Sequence, residues 1–131
     1  MSKIRVLLAD DNSQILEYVR EFLSGNGCEV VGSVTGGQAA VDAAAQLVPD
    51  VLVLDVSMPI LNGIQAARRS LEGNASIKIV FLTVNKDPDT CRAAMETGAC
   101  GYVLKPRLAS DLIPAIKLAN DGRRFVSPGC E

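Results

Sequence analysis

Short apolar, β-branched segments alternate along the chain with segments whose apolar residues recur at helical spacing. The first apolar segment, residues 4–9, stops at a cluster of helix-capping residues at positions 10–13. Beyond Ser13 the apolar positions form one helical stripe, and Gly25 and Gly27 follow it. This succession predicts a strand followed by a helix, and it recurs along the chain.

Five such strand–helix units are expected. We predict strands at residues 4–9, 29–34, 51–54, 78–82 and 101–104, and helices at 13–24, 37–47, 63–71, 89–97 and 110–120, the last with Ser110 as its N-cap. The spacing between strands leaves room for a crossover helix and is too long for a hairpin. The fold class is therefore α/β, a doubly wound five-stranded parallel sheet flanked by five helices, because a barrel would need eight units.

The composition narrows the class of protein. The chain has 131 residues, 48% hydrophobic and 21% charged, which is typical of one globular domain. A net charge of −2 argues against nucleic-acid binding by this chain alone. No apolar stretch is long enough to span a membrane and no signal peptide is visible, so we expect no membrane partner and a cytoplasmic location.

Two residue types limit the chemistry. The chain has no histidine, which excludes Ser-His-Asp and Cys-His nucleophile systems and the role of phosphohistidine donor. Its four cysteines, Cys28, Cys91, Cys100 and Cys130, show no Cys-x-x-Cys spacing and are too sparse for a disulfide scaffold. We therefore expect reduced thiols and chemistry carried by carboxylates, lysine or hydroxyls.

Polar residues follow four of the five predicted strands. Asp10 and Asp11 follow the first strand, Asp55 the third, Thr83 the fourth and Lys105 the fifth. Ligands of open α/β sheets bind at the carboxyl ends of the strands, so these side chains can converge if the second strand lies at an edge. Three carboxylates form an oxygen-rich site for Mg²⁺, which relieves their mutual repulsion, and the lysine adds a point charge for an anion.

Each of these residues alone has an ordinary interpretation. Asp10 and Asp11 could cap a helix, Asp55 could end a strand, and Lys105 could be a surface lysine. Their joint placement after successive strands favours a common site.

Four motifs then occur in order: Leu7-Leu8-Ala9-Asp10-Asp11, Leu54-Asp55-Val56-Ser57-Met58-Pro59 with Gly63, Leu82-Thr83, and Tyr102-Val103-Leu104-Lys105-Pro106. Together they resemble CheY-like response regulator receiver domains over about residues 4–120. Residues 115–128 resemble the end of receivers of the NarL/FixJ subfamily, whose output domain is a LuxR-type helix-turn-helix. The resemblance divides the chain into a receiver domain at 1–122 and a tail or start of a linker at 123–131.

The resemblance implies the flavodoxin-like strand order 2-1-3-4-5 and a specific site. Asp55 is the implied phosphoacceptor, taking a phosphoryl group from a sensor histidine kinase, with Lys105 and Thr83 assisting. Mg²⁺ is implied on Asp11, Asp55 and the backbone carbonyl of Ser57, and on Asp10 largely through water. The domain is not an enzyme in its own right, since the only reactions implied are its own phosphorylation and dephosphorylation.

The resemblance also implies a switch. Thr83 binds a phosphoryl oxygen and Tyr102 moves inward with it, although Tyr102 could equally be a static, half-buried strand aromatic. The surface of the fourth helix, fifth strand and fifth helix would then bind a partner or form a homodimer, in a protein that controls transcription. A cis peptide bond before Pro106 is implied as well.

Three alternatives stay open. An aspartate-nucleophile phosphatase lacks support, since Asp10-Asp11 is not Asp-x-Asp and no cap domain is visible. A nucleotide binder would need a glycine-rich phosphate loop, which is absent. The strongest alternative is a receiver-like interaction module that is not phosphorylated, because Val84 stands where the family keeps a small residue.

Overall fold

Strands and helices alternate along the chain in the computed structural model, which describes residues 3–130. The strands are β1 (Ile4–Ala9), β2 (Cys28–Val34), β3 (Val51–Leu54), β4 (Lys78–Thr83), β5 (Gly101–Leu104) and β6 (Phe125–Val126). The helices are α1 (Ser13–Ser24), α2 (Gly37–Leu47), α3 (Gly63–Gly73), α4 (Pro88–Glu96) and α5 (Leu108–Asn120), with a 3₁₀ turn at Lys105–Arg107.

The strands pair in parallel, in the order β2-β1-β3-β4-β5-β6. The predicted parallel sheet, its five helices and the edge position of β2 are confirmed. The predicted count of five strands is wrong, because Phe125 pairs with Gly101 and Val126 pairs with Tyr102 to add β6 beside β5. A strand of two residues is too short to show alternation, so β6 has no periodic signal in the sequence.

The side chains of the sheet fill two apolar layers. One face packs against α2, α3 and α4, and the other against α1 and α5. Successive residues of β1 alternate between the layers, with Leu7 in the first and Leu8 in the second. β3 is apolar on both faces because helices cover both sides of it. The carboxyl ends of the strands are the edge at which polar groups collect.

The starts of α1 and α5 differ in how they are capped. Asn12 caps α1, its Oδ1 accepting the backbone N–H groups of Gln14 and Ile15. The expectation that Ser110 caps α5 is wrong, since α5 already begins at Leu108, directly after the 3₁₀ turn. Ser110 lies within the first turn of α5, where its hydroxyl donates to the carbonyl oxygen of Arg107.

Residues 123–130, called the tail below, are fastened to the domain by a buried hydroxyl. Ser127 is fully buried, and its Oγ accepts the Leu104 N–H at 3.2 Å and donates to Asp111 Oδ2 at 2.7 Å. Arg107 Nε donates to the same carboxylate oxygen at 2.8 Å. Asp111 therefore joins the tail, β5 and the start of α5 in one hydrogen-bonded cluster.

Replacing Asp111 with asparagine is expected to lower the free energy of unfolding by about 2 kcal/mol at pH 7, the scale of a lost charge-assisted buried hydrogen bond. Burial disfavours the Asp111 carboxylate, but hydrogen bonds from Arg107, Ser127 and Ser110 and the charge of Arg107 outweigh it, so its pKa lies below 3.8. A lowered folded-state pKa stabilises the fold fully above 3.8, and this contribution is lost as the pH falls through that pKa.

Urea unfolding from pH 7 to pH 2.5 tests this prediction, with Asp121→Asn at the exposed end of α5 as the control. The variant at Asp111 should lose part of the acid dependence seen in the wild type. An unchanged stability and pH profile would show that the cluster contributes nothing.

The four cysteines fall into two classes. Cys91 and Cys130 form a disulfide, whereas Cys28 and Cys100 are free. The expectation of reduced thiols is therefore wrong for one pair, since the fold brings together two residues that lie 39 positions apart.

No helix within residues 3–130 is long and apolar enough to cross a membrane.

Candidate functional site

The register of the central strands places two buried carboxylates side by side. Ala9, the last residue of β1, pairs with Leu54, the last residue of β3, and the Asp55 N–H donates to the Ala9 carbonyl oxygen at 3.0 Å. Asp10 and Asp55 therefore leave neighbouring strands at the same level. Their exposed fractions are only 4% and 6%, so both carboxylates lie in a protected pocket.

Lys105 bridges the two carboxylates. It follows β5, and its Nζ lies 2.8 Å from Asp10 Oδ2 and 3.1 Å from Asp55 Oδ2. Burial alone would lower the pKa of Lys105, but the hydrogen bonds to both aspartates, and their charges, raise it above the ordinary value. The ammonium is thus fully charged at neutral pH. The peptide bond to Pro106 is trans, so the implied cis bond is wrong.

Asp11 completes an acidic triad with Asp10 and Asp55. One carboxylate oxygen from each residue lies within 4.8 Å of the others. Asp11 is exposed at the mouth of the pocket, whereas burial raises the pKa of Asp10 above its ordinary 3.8 despite the hydrogen bond to Lys105. Three carboxylates, one of them open to solvent, fit a hard divalent cation such as Mg²⁺.

Ser57 lies in the exposed loop after β3. Its N–H donates to Asp55 Oδ1 at 3.3 Å, which orients the carboxylate. The backbone of Ser57 is therefore next to the acidic triad, as a carbonyl ligand requires.

A hydrogen-bonded chain links Thr83 to Tyr102 through the backbone of Asn85. Thr83 Oγ1 accepts the Asn85 N–H at 3.2 Å, and Tyr102 Oη donates to the Asn85 carbonyl oxygen at 2.6 Å. The Asn85 side chain in turn accepts the N–H of Asp87, the N-cap of α4. This link has no signal in the sequence, because it uses backbone atoms that any residue would supply.

Tyr102 is fully buried rather than half-buried. Its ring lies 6.1 Å from that of Phe81, and burial, with the negative charges of Asp55 and Asp87, raises its pKa to about 12. The hydroxyl is therefore neutral and donates to Asn85. In this structure the Tyr102 side chain therefore points inward, and its hydrogen bond to Asn85 connects it to the loop after β4.

Gly63 packs directly against the backbone of the site. Its N–H donates to the Val56 carbonyl oxygen at 2.8 Å, and a Cβ added to it would lie 1.9 Å from the Asp55 carbonyl oxygen. No side chain fits there without moving backbone. Gly63 therefore lets α3 begin close enough to fix the loop that carries Asp55.

Comparisons with known proteins agree with this geometry. The chain matches the response regulator receiver domain over residues 6–117. It is similar to response regulator GacA of Pseudomonas viridiflava, with 33% identity over 126 residues that cover 95% of this chain and 59% of GacA. It is also similar to transcriptional regulatory protein PdtaR of Mycobacterium tuberculosis, with 41% identity over 115 residues that cover 88% of this chain and 56% of PdtaR.

A solved structure gives the same result for the fold. The two-component response regulator of the LuxR family from Aurantimonas sp. SI85-9A1 superposes with a TM-score of 0.94 at 29% identity, covering 98% of this chain and 93% of that chain. That protein is of the LuxR family, the type of regulator that residues 115–128 were expected to resemble. The chain spans between half and three fifths of the length of the two curated relatives.

Proposed function

Because this chain belongs to the family of response regulator receiver domains, we propose that Asp55 accepts a phosphoryl group from a phosphohistidine of a sensor histidine kinase. The observation that carries the proposal is the buried Asp55 carboxylate held 3.1 Å from Lys105 beside Asp10 and Asp11. These 131 residues contain no histidine, so they do not supply the donor imidazole themselves. The transfer occurs in the cytoplasm, where such kinases expose their donor histidine.

In the reaction an Asp55 oxygen attacks phosphorus while the bond from phosphorus to the donor imidazole nitrogen breaks. The aspartyl phosphate returns to the carboxylate when water attacks it, and inorganic phosphate is released. Both steps are the domain's own, and water is the one further reactant that they consume. Phosphoryl transfer depends mainly on positioning and charge, which this pocket supplies.

Each residue of the pocket has a distinct part. The Ser57 N–H orients the Asp55 carboxylate, and the Lys105 ammonium, already shared by two carboxylates, is close enough to bind the incoming phosphoryl oxygens. Asp11, Asp55 and the Ser57 carbonyl, with Asp10 through water, would hold Mg²⁺, which would supply the remaining charge neutralisation. Burial of Asp10 and Asp55 keeps competing water away.

The switch that follows is built on the link from Thr83 to Tyr102. Once a phosphoryl group is on Asp55, the Thr83 hydroxyl donates to one of its oxygens, and the side chain turns away from the Asn85 N–H that it accepts in this structure. Loss of that hydrogen bond changes the loop before α4, which Tyr102 also holds. The surface of α4, β5 and α5 then changes its affinity for a partner or a second copy of the domain, and through it a transcriptional output.

Intact mass spectrometry after incubation with acetyl phosphate tests the proposed acceptor. We expect one phosphoryl adduct that requires Mg²⁺, and borohydride trapping followed by peptide mapping should place it on Asp55. An adduct mapped to another residue would contradict the assignment.

The second candidate function is a receiver-like interaction module that is not phosphorylated. The observation in its favour is the residue directly after Thr83. This is Val84, which is β-branched and 70% exposed, at a position where the family keeps a small residue. Absence of any adduct with acetyl phosphate and with a phosphorylated kinase would support this module.

Mg²⁺ is expected to stabilise the fold. Binding to the native state alone adds about 2.7 kcal/mol at a hundredfold excess over Kd. Thermal unfolding in millimolar Mg²⁺ should show a raised Tm that Asp11→Asn reduces, since the exposed carboxylate of Asp11 is a ligand without a role in the core. A Tm that Mg²⁺ leaves unchanged in the wild type would contradict the metal site.

A further inference from the structure

Helix α4 and the tail meet at a pair of cysteines that the proposed phosphoryl transfer does not use. The Cα atoms of Cys91 and Cys130 lie 6.3 Å apart, within the range that a disulfide spans. The buried residues of α4 are Cys91 and Ala94, so Cys91 supplies much of the packing of this nine-residue helix. A bond at Cys91 therefore fixes the position of α4 itself.

The tail is anchored to the strand that carries the switch tyrosine. The Ser127 N–H donates to the Tyr102 carbonyl oxygen at 2.8 Å, and the Ser127 hydroxyl binds Asp111 on α5. The hydroxyl of the same Tyr102 holds the Asn85 carbonyl oxygen in the loop before α4. The segment from this loop through α4 therefore has two attachments. Tyr102 of β5 holds its first residues, and the disulfide between Cys91 and Cys130 holds α4 to the tail.

We propose that Cys91 and Cys130 form a reversible redox site, whose disulfide fastens α4 to the tail and restrains the surface of α4, β5 and α5. The consequence for signalling rests on the proposed function, since that surface is the one that phosphorylation would change. In a reducing compartment a disulfide between two such residues responds to oxidants rather than serving as a permanent staple. Oxidation then holds the domain in the arrangement with Tyr102 buried.

The oxidant is a low-molecular-weight disulfide such as glutathione disulfide. One protein thiolate attacks a sulfur of the oxidant, forming a mixed disulfide and releasing one glutathione thiolate. The second protein thiolate attacks the mixed disulfide, which closes the Cys91–Cys130 bond and releases the other glutathione thiolate. The protein dithiol loses two electrons and two protons, and glutathione disulfide is reduced to two molecules of glutathione.

A groove gives such a reagent access to the pair. The groove is open, has a volume of about 550 Å³, and its lining includes both cysteines together with Arg92, Arg124 and Glu96. Cys91 and Cys130 are only 4% and 5% exposed, so the reagent reaches them through this groove. The positive charges of Arg92 and Arg124 attract a reagent that carries carboxylates. Cys28 lies under the opposite face of the sheet, away from this pair, and burial raises the pKa of its thiol above 9.0.

Equilibration of the protein in glutathione redox buffers, followed by alkylation and peptide mapping, tests the bond. We expect loss of two hydrogen atoms, a linked pair of peptides containing Cys91 and Cys130, and return of both thiols on adding glutathione. The matched variants are Cys130→Ser, which removes the bond, and Cys100→Ser, which keeps it. Separate alkylation of both thiols under oxidising conditions, or a bond that glutathione does not reduce, would overturn the proposal.

Hydrogen exchange of the α4 amides, without any phosphoryl donor, tests the restraint. Oxidised wild type and oxidised Cys100→Ser should exchange about tenfold more slowly in α4 than their reduced forms. Cys130→Ser should exchange at the rate of the reduced wild type under both conditions. Equal exchange in oxidised and reduced wild type would show that the bond does not restrain α4.

A third measurement separates the two proposals. Acetyl phosphate is added to the oxidised and reduced forms, and the change in α4 exchange on phosphorylation is compared. We expect a smaller change in the oxidised form. If neither form accepts a phosphoryl group, the proposed function fails while the first two measurements still decide the redox site. An equal change in both forms would overturn the signalling consequence alone.

Discussion

Asp55→Asn is expected to abolish phosphoryl transfer, reducing the rate by on the order of 10⁴-fold or more, as for removal of other enzymatic nucleophiles. The asparagine side chain keeps the size of aspartate and one oxygen for the Ser57 N–H. It has no carboxylate charge with which to attack phosphorus. Intact mass after incubation with acetyl phosphate and Mg²⁺ measures the result.

Two other aspartates provide controls for this variant. Asp89→Asn removes an exposed carboxylate that pairs with Arg92 on the same helix, and this variant should accept the phosphoryl group as the wild type does. Asp11→Asn keeps the nucleophile and should require more Mg²⁺. A full adduct on Asp55→Asn would show that the acceptor lies elsewhere, whereas loss of the adduct in Asp89→Asn would show that the assay reports general damage.

Circular dichroism separates a chemical loss from an unfolded variant. Asp55→Asn should fold, because it leaves Lys105 paired with Asp10 and removes the repulsion between two buried carboxylates. We expect a smaller rise in Tm on adding Mg²⁺, since one ligand charge is gone. Loss of the native spectrum would instead assign Asp55 a structural part.

The core of the site was predictable because parallel strands deliver their carboxyl ends to one edge. Asp10, Asp55 and Lys105 each follow a strand whose apolar run is plain in the sequence, and in the structure Lys105 Nζ lies 2.8 Å from Asp10 Oδ2 and 3.1 Å from Asp55 Oδ2. Their roles in catalysis and metal binding stay predictions. The edge position of β2, which ends without a charged residue, was a condition for this convergence, and the family resemblance implied it through the strand order.

Features that depend on backbone atoms or on distant contacts were beyond sequence reasoning. Asn85 links Thr83 to Tyr102 through its N–H and carbonyl groups, for which no residue type is a signal. β6 has two residues, and its position depends on the buried hydrogen bonds of Ser127. Cysteine spacing alone likewise carries no information on which pair the fold brings together.

Gly63 was predictable as part of a motif, but the physical reason for a glycine at this position is visible only in the structure. Gly63→Ala is expected to lower the free energy of unfolding by about 4 kcal/mol, more than most overpacked cores lose, because the added methyl group meets backbone that cannot rotate away. The Cβ would lie 1.9 Å from the Asp55 carbonyl oxygen and 2.9 Å from the Val56 Cα. Asp55 should shift with the loop, so phosphorylation should slow as well.

Gly73→Ala is the matched control, since it makes the same change at the other end of α3. A Cβ on Gly73 meets nothing within 4 Å, so the change should stabilise the protein by about 0.5 kcal/mol through the lower entropy of the unfolded chain. Thermal unfolding should therefore move in opposite directions for the two variants, with a fall of about 12 °C for Gly63→Ala. Equal Tm values would show that α3 can move away from Asp55 at little cost, and the close approach of Gly63 would then have no part in holding the acceptor.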